Sequence, residues 1–385
     1  MKRGLALCGG GSLGAYEIGV WQYFREHGMD FDIITGTSIG AINGAMVASN
    51  AYEEALNMWK SVDVNSVMAD GIDIDRGFLR KVDLNKDSSF SKAIDSYKKN
   101  KGANTAPLKK MLKEVIEPLH VNRSPKTLGI VICRFPSFKE EDVVVNQLKD
   151  EEVVDYLMAS SACWPVFPVY EIKGRDYVDG GWRNNLPIDF ALSLGAEEVV
   201  AVKLNSLPVA QHQELFDLPN VTMITPSLGQ GSFLSFTHNR IEDNIRLGYI
   251  DAAKSFGSLK GNRVTLENDF HFSSLAREYF NIWMRNDPRG FLDLEKNQTK
   301  RAVLKIKDPV EKAFILSLER IMDMFGYDYR KTYKASELIA QIKEKIKTET
   351  RLDRHQERFI SYLNEDKSAR VIAHKELKYF ASLLK

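Results

Sequence analysis

The sequence predicts an α/β fold, a sheet of short strands separated by helices, followed by a mainly helical C-terminal region. Three observations carry this. Two apolar runs near the start, Arg3–Cys8 and Phe31–Thr35, each meet a glycine-rich turn and then a helical pattern, Ala15–Glu26 and Ile39–Ser49. The alternation of strand and helix continues to about residue 256 and then stops. Composition is that of a globular chain, with 44% hydrophobic and 27% charged residues among 385. That length allows one large domain and a smaller one.

Taken in order, further strands are expected at Leu128–Cys133, Asp142–Asn146, Val169–Ile172, Asp176–Val178, Glu198–Leu204 and Val221–Ile224. Helices are expected between them at Leu108–Ile116, Glu151–Ser161, Pro187–Leu194 and Ile241–Phe256. Ser61 to Thr105 is polar and weakly periodic, which reads as a surface excursion or a lid over one end of the sheet. A boundary is expected near residue 257, giving domains 1–256 and 257–385. Beyond it Asp308, Pro309, Glu311 and Gly326 mark the start and stop of a helix, and Ala335–Lys347, Arg351–Leu363 and Ser368–Leu384 continue in helical style.

Charge and cysteine content narrow the function. Lys plus Arg (53) and Asp plus Glu (52) nearly cancel, without the basic excess of a nucleic-acid binder. Cys8, Cys133 and Cys163 form no CxxC and cannot all pair, which fits a reducing compartment. The apolar run Leu5–Cys8 is too short for a signal peptide or a membrane span, so a cytoplasmic location is expected. Asp70, Asp73 and Asp75 are spaced loosely like a calcium loop, but the Gly and terminal Glu are not where that loop requires them. No metal and no cofactor are expected.

Three motifs carry chemistry. Gly36-Thr37-Ser38-Ile39-Gly40 is a G-x-S-x-G, a pattern that chance alone supplies in about one chain of this length in eight. Its setting adds weight, because it follows an apolar run and opens a helix of small residues, as a nucleophile elbow does. The alternative is a serine capping its own helix. Gly9-Gly10-Gly11-Ser12-Leu13-Gly14 follows the first strand, and its bare amides suit an oxyanion or a phosphate. It also satisfies G-x-G-x-x-G, but the acidic residue that a dinucleotide fold places at the end of its second strand is missing. Tyr177-Val178-Asp179-Gly180-Gly181 places an acid between a short strand and two glycines; alone it reads as an ordinary Asp-Gly turn.

Together the three motifs resemble the patatin-like phospholipase family. The resemblance extends to Ala159-Ser160-Ser161-Ala162, Pro165, Phe167-Pro168 and Asn184-Asn185-Leu186-Pro187, and covers roughly residues 3 to 256. It implies a three-layer α/β/α domain and a Ser–Asp dyad, with Ser38 as nucleophile and Asp179 as base. Gly9, Gly10 and Gly11, helped by the Ile39 N–H, would form the oxyanion hole, supported by Gly14, Gly36, Gly40, Gly180 and Gly181. The implied substrate is a lipid or other acyl ester. Many relatives carry Arg or Lys where this chain has Leu13, which puts preference for charged phospholipids in doubt.

Two rivals remain at this stage. A Ser-His-Asp enzyme would need one of His212, His238, His271, His355 or His374, and a non-catalytic scaffold would bind lipid or protein. Separately, residues 331–385 hold thirteen Lys/Arg against eight Asp/Glu. The last helix can therefore lie on an anionic membrane surface or pack its apolar side on the protein.

Overall fold

The structure, a computed structural model, describes residues 1–69, 102–206, 212–269, 272–289, 308–348, 378–380 and 382–383. β1 (Arg3–Leu7) has parallel neighbours on both edges, β2 (Ile33–Thr37) and β7 (Glu198–Val202). β8 (Val221–Ile224) extends the sheet past β7, and β3 (Thr127–Arg134) lies beyond β2. From there pairing turns antiparallel, with β4 (Lys139–Val144) folding back on β3 and the hairpin of β5 (Tyr170–Ile172) and β6 (Arg175–Asp179) joining it. The order is β5-β6-β3-β2-β1-β7-β8, with β4 also on β3. Strands covered on both faces read as unbroken apolar runs, which is why β1 and β3 stand out in the sequence.

Successive strand residues point to opposite helical layers. A Cβ added to Gly44, in α2 (Ile39–Ala48), would touch Ile34 and Leu128. The next residue of each strand faces the other way. Thr35 donates its hydroxyl to the Pro187 carbonyl at 2.8 Å, and a Cβ on Gly129 would sit 2.4 Å from Phe190 of the helix Ile188–Ser193. The mixed sheet is thus covered on both sides, the expected three-layer arrangement. Other helices of this part are α1 (Ala15–Glu26), α3 (Tyr52–Ser61), α4 (Ala106–Ile116), α5 (Asp150–Ser160), α6 (the Ile188–Ser193 helix) and α7 (His238–Ser255). α3 was not expected, although Tyr52, Ala55, Met58 and Trp59 bury one helical face.

The chain divides into two compact units, Met1–Ala252 and Ala253–Lys385. The second contains α8 (Ser273–Asn286), α9 (Pro309–Met324) and α10 (Ala335–Thr348) around Phe272, Trp283, Phe314 and Phe380, all fully buried. α9 starts as expected, with Asp308 accepting the Val310 N–H at 2.9 Å and Pro309 in its first turn. This unit also has a small sheet, β11 (Thr332–Tyr333), β10 (Thr265–Glu267) and β9 (Leu259–Lys260), whose strands are too short to display a period. Near the end of the chain Tyr379 and Phe380 are buried and Leu383 packs against the same core.

Residues 70–101 of the polar insertion, Asp70, Asp73 and Asp75, and the Arg351–Leu363 helix lie outside the described residues. Among those described, no helix is long and apolar enough to cross a membrane.

Candidate active site

β2 passes into α2 through a single strained residue. Ser38 has φ 56° and ψ −123°, in the half of the map that L-residues avoid. Such a conformation costs on the order of 1–3 kcal/mol and persists only where its surroundings enforce it. Enforcement is local. A Cβ on Gly36 would lie 2.2 Å from the Gly40 carbonyl oxygen, and one on Gly40 would lie 2.4 Å from that of Leu7. The Ser38 side chain makes no capping hydrogen bond to α2, which removes the helix-cap reading.

β3 explains how Asp179 reaches this serine. β2 pairs with β3 up to Thr37–Val131, and β6 pairs from Ile132–Asp179 onward. β4 occupies β3 from Gly129 to Arg134. Because a strand has only two edges, β2 and β6 must share the other one, end to end. Their C-terminal ends therefore meet at Val131 and Ile132, with Ser38 just past one and Asp179 closing the other. Asp179 is buried and accepts the Gly181 N–H at 2.7 Å, so the Asp-Gly turn is real as well. The Ser38 hydroxyl lies close enough to favour the ionised form of Asp179. Burial pushes its pKa from 3.8 up to about 6, against the lowering effect of the Gly181 amide and the Ser38 hydroxyl.

The glycine turn after β1 lies on the opposite flank, and one expectation about it fails. The Gly9 N–H donates to the Asn185 carbonyl at 3.0 Å, which takes it out of any oxyanion hole. Gly9 makes room instead, since a Cβ there would lie 2.3 Å from Asn185 Oδ1 and 3.2 Å from Ser38 Cβ. The N–H groups of Gly10, Gly11 and Ile39 have no hydrogen-bond partner among the described residues. Gly14 sits against Ile39, where a Cβ would lie 2.5 Å from its side chain.

Residues 5–192 match the model of the family described as patatin-like phospholipase. These residues form a patatin-like phospholipase domain. The chain is 28% identical over 210 residues to a lysophospholipase nte1 of Aspergillus terreus, covering 53% of this chain and 12% of that protein. It is 28% identical over 209 residues to patatin-like phospholipase domain-containing protein 6 of Mus musculus, covering 52% of this chain and 13% of that one. The chain thus spans 12% to 13% of the length of these curated relatives.

The first unit holds a cavity of about 180 Å³, lined by Ser38, Asp179 and the Gly9–Gly11 turn. Its walls are apolar and aromatic, including Ile42, Met58, Trp59, Leu108, Trp164 and Phe236. Cys163 also lines it, but burial and the nearby Asp179 push its thiol pKa well up, so it stays protonated and is a poor nucleophile. Among the described residues no histidine lines the cavity. His212 lies beside Asp189 and Glu214, and His238 beside Glu242; His271, His355 and His374 lie outside the described residues.

Sequence reasoning missed two members of this patatin-like site. Asn185 fastens the glycine turn, its Nδ2 donating to the Gly9 carbonyl at 3.1 Å. Trp59 forms wall, and its indole N–H donates to Asn43 Oδ1 at 2.9 Å. The spacing of α3 could have revealed Trp59; nothing in the sequence gives the partner of Asn185.

Proposed function

We propose that this chain is a serine hydrolase that cleaves acyl esters of lipids, with Ser38 as nucleophile and Asp179 as base. The observation that carries this reading is the adjacency of a strained serine and a buried carboxylate in an apolar cavity flanked by unpaired amides. A carboxylate with a raised pKa is a better proton acceptor than one in water, while still ionised near neutrality. As Ser38 Oγ bonds to the ester carbonyl carbon, its proton passes to Asp179. The amides of Gly10, Gly11 and Ile39 meet the tetrahedral oxyanion, each donor of this kind being worth about 10²–10³ in rate. The alcohol then departs with the proton from Asp179. Water, deprotonated by Asp179, attacks the acyl–serine carbonyl, and the proton returns from Asp179 to the leaving Ser38 Oγ as the fatty acid is released. Apolar walls suit an acyl chain, and two of the relatives reported above carry lysophospholipase or phospholipase in their names.

The test is a panel of aryl esters, lysophospholipids and phospholipids with wild type, Ser38→Ala and Asp179→Asn. Both variants should stay folded and lose turnover, and a fluorophosphonate should label wild type at Ser38. Turnover surviving in Ser38→Ala rejects the reading. Contact of the C-terminal helices with a membrane surface belongs to the same proposal. Equal sedimentation with anionic vesicles by the full chain and by a truncation at residue 330 would reject it.

A further inference from the structure

Besides β3, the end of α5 touches both halves of the pair. α5 ends at Ser160, whose hydroxyl accepts the Ser38 N–H at 2.9 Å and donates to the Val131 carbonyl at 2.8 Å. Two residues on, the Ala162 carbonyl accepts the Asp179 N–H at 2.9 Å. Ser160 is fully buried, at 0% exposure. Val131 is the last β3 residue paired with β2, next to Ile132, which pairs with Asp179. The end of α5 therefore fastens the backbones of both residues at the junction where their strands meet.

Resting on the hydrolase reading above, we propose that Ser160 is a positioning residue, its hydroxyl fixing the Ser38 backbone against β3 so that the nucleophile faces Asp179. The chemistry asks for a small side chain that accepts one hydrogen bond and donates another, which a hydroxyl does. Ser38 precedes the first turn of α2, so its N–H has no acceptor within the helix. Without Ser160 that donor would be unpaired, and the strained φ of Ser38 would lose one of the contacts that enforce it. The bond also withholds the Ser38 amide from the oxyanion and leaves that work to Gly10, Gly11 and Ile39.

The experiment compares kcat and KM for an aryl ester, per site titrated with a fluorophosphonate, in wild type, Ser160→Ala, Ser160→Cys and Ser160→Thr. Loss of the hydroxyl in Ser160→Ala should lower kcat on the order of 10²-fold at unchanged KM, the scale of a small misplacement of reacting groups. Ser160→Thr, which keeps both bonds, should stay within a few-fold of wild type. Ser160→Cys fills the same space with a weak acceptor and should fall between; it carries the comparison if Ser160→Ala does not fold. Wild-type kcat per titrated site in both the Ala and Cys variants overturns the proposal, as does an equal fall in Thr and Ala. If wild type itself neither labels nor turns over, the hydrolase reading fails instead.

Discussion

At the scale of single residues, the chemistry of this site turns on the energetic cost of keeping Asp179 ionised. Its carboxyl titrates near 6 in the folded protein against 3.8 for an unperturbed aspartate. Between those values the native state holds a proton that the unfolded chain has released, so stability falls as pH rises through that window. Above it the full penalty is present, about 3 kcal/mol. Asp179→Asn should therefore be more stable than wild type at pH 8, by about 1–3 kcal/mol, and equal to it below about pH 4. Urea denaturation at the two pH values checks this, and an equal or less stable variant at pH 8 contradicts it. Turnover should follow the opposite course, with kcat/KM rising with pH through a limb near 6 as the base ionises. Ser38 and Asp179 are legible in the sequence because the glycines around them record backbones that come too close for a Cβ. The difference between Gly9 and Gly10 is not, since it depends on a carbonyl 176 residues away.

At the scale of elements, the turn, α1, α2 and α3 converge on one buried amide. Asn43 donates to the Gly14 carbonyl at 3.0 Å and to Glu17 at 2.8 Å, and accepts from Trp59 at 2.9 Å. Removing it strands a buried carboxyl and a buried indole N–H. Asn43→Ala should cost on the order of 3 kcal/mol in denaturant unfolding, and a loss within about 0.5 kcal/mol would show that the network contributes little. The elbow is less forgiving. Gly36→Ala drives a methyl group into the Gly40 carbonyl, so fluorophosphonate labelling of Ser38 should fall at least tenfold even in protein that remains folded. The sequence displays the elements of the first unit because buried strands and amphipathic helices leave different periods. Boundaries shift by a few residues where apolar side chains run past the hydrogen-bonded ladder, as at Phe31, which is buried but precedes β2. The abutment of β2 and β6 on one edge of β3 is invisible in any such pattern, because pairing across a sheet leaves no periodic trace.

At the scale of the molecule, every residue that lines the cavity belongs to Met1–Ala252, while Ala253–Lys385 has an aromatic core of its own. Phe314 lies at the centre of that core, stacked on Phe380 at 5.3 Å between ring centroids and edge-on to Tyr279 at 5.7 Å. Truncating such a ring costs about 3–5 kcal/mol through lost burial and the space left behind. If the two units answer for different properties, Phe314→Ala should loosen the second without touching the chemistry of the first. Hydrogen exchange should speed up across α9 in this variant, while the rate at which a fluorophosphonate labels Ser38 stays within twofold of wild type. A labelling rate that falls in step with the loss of protection in α9 would mean instead that the second unit holds the site in its working form. The carboxylate and amides beside Ser38 would then be insufficient for its reactivity, and hydrolysis would be a property of the full chain.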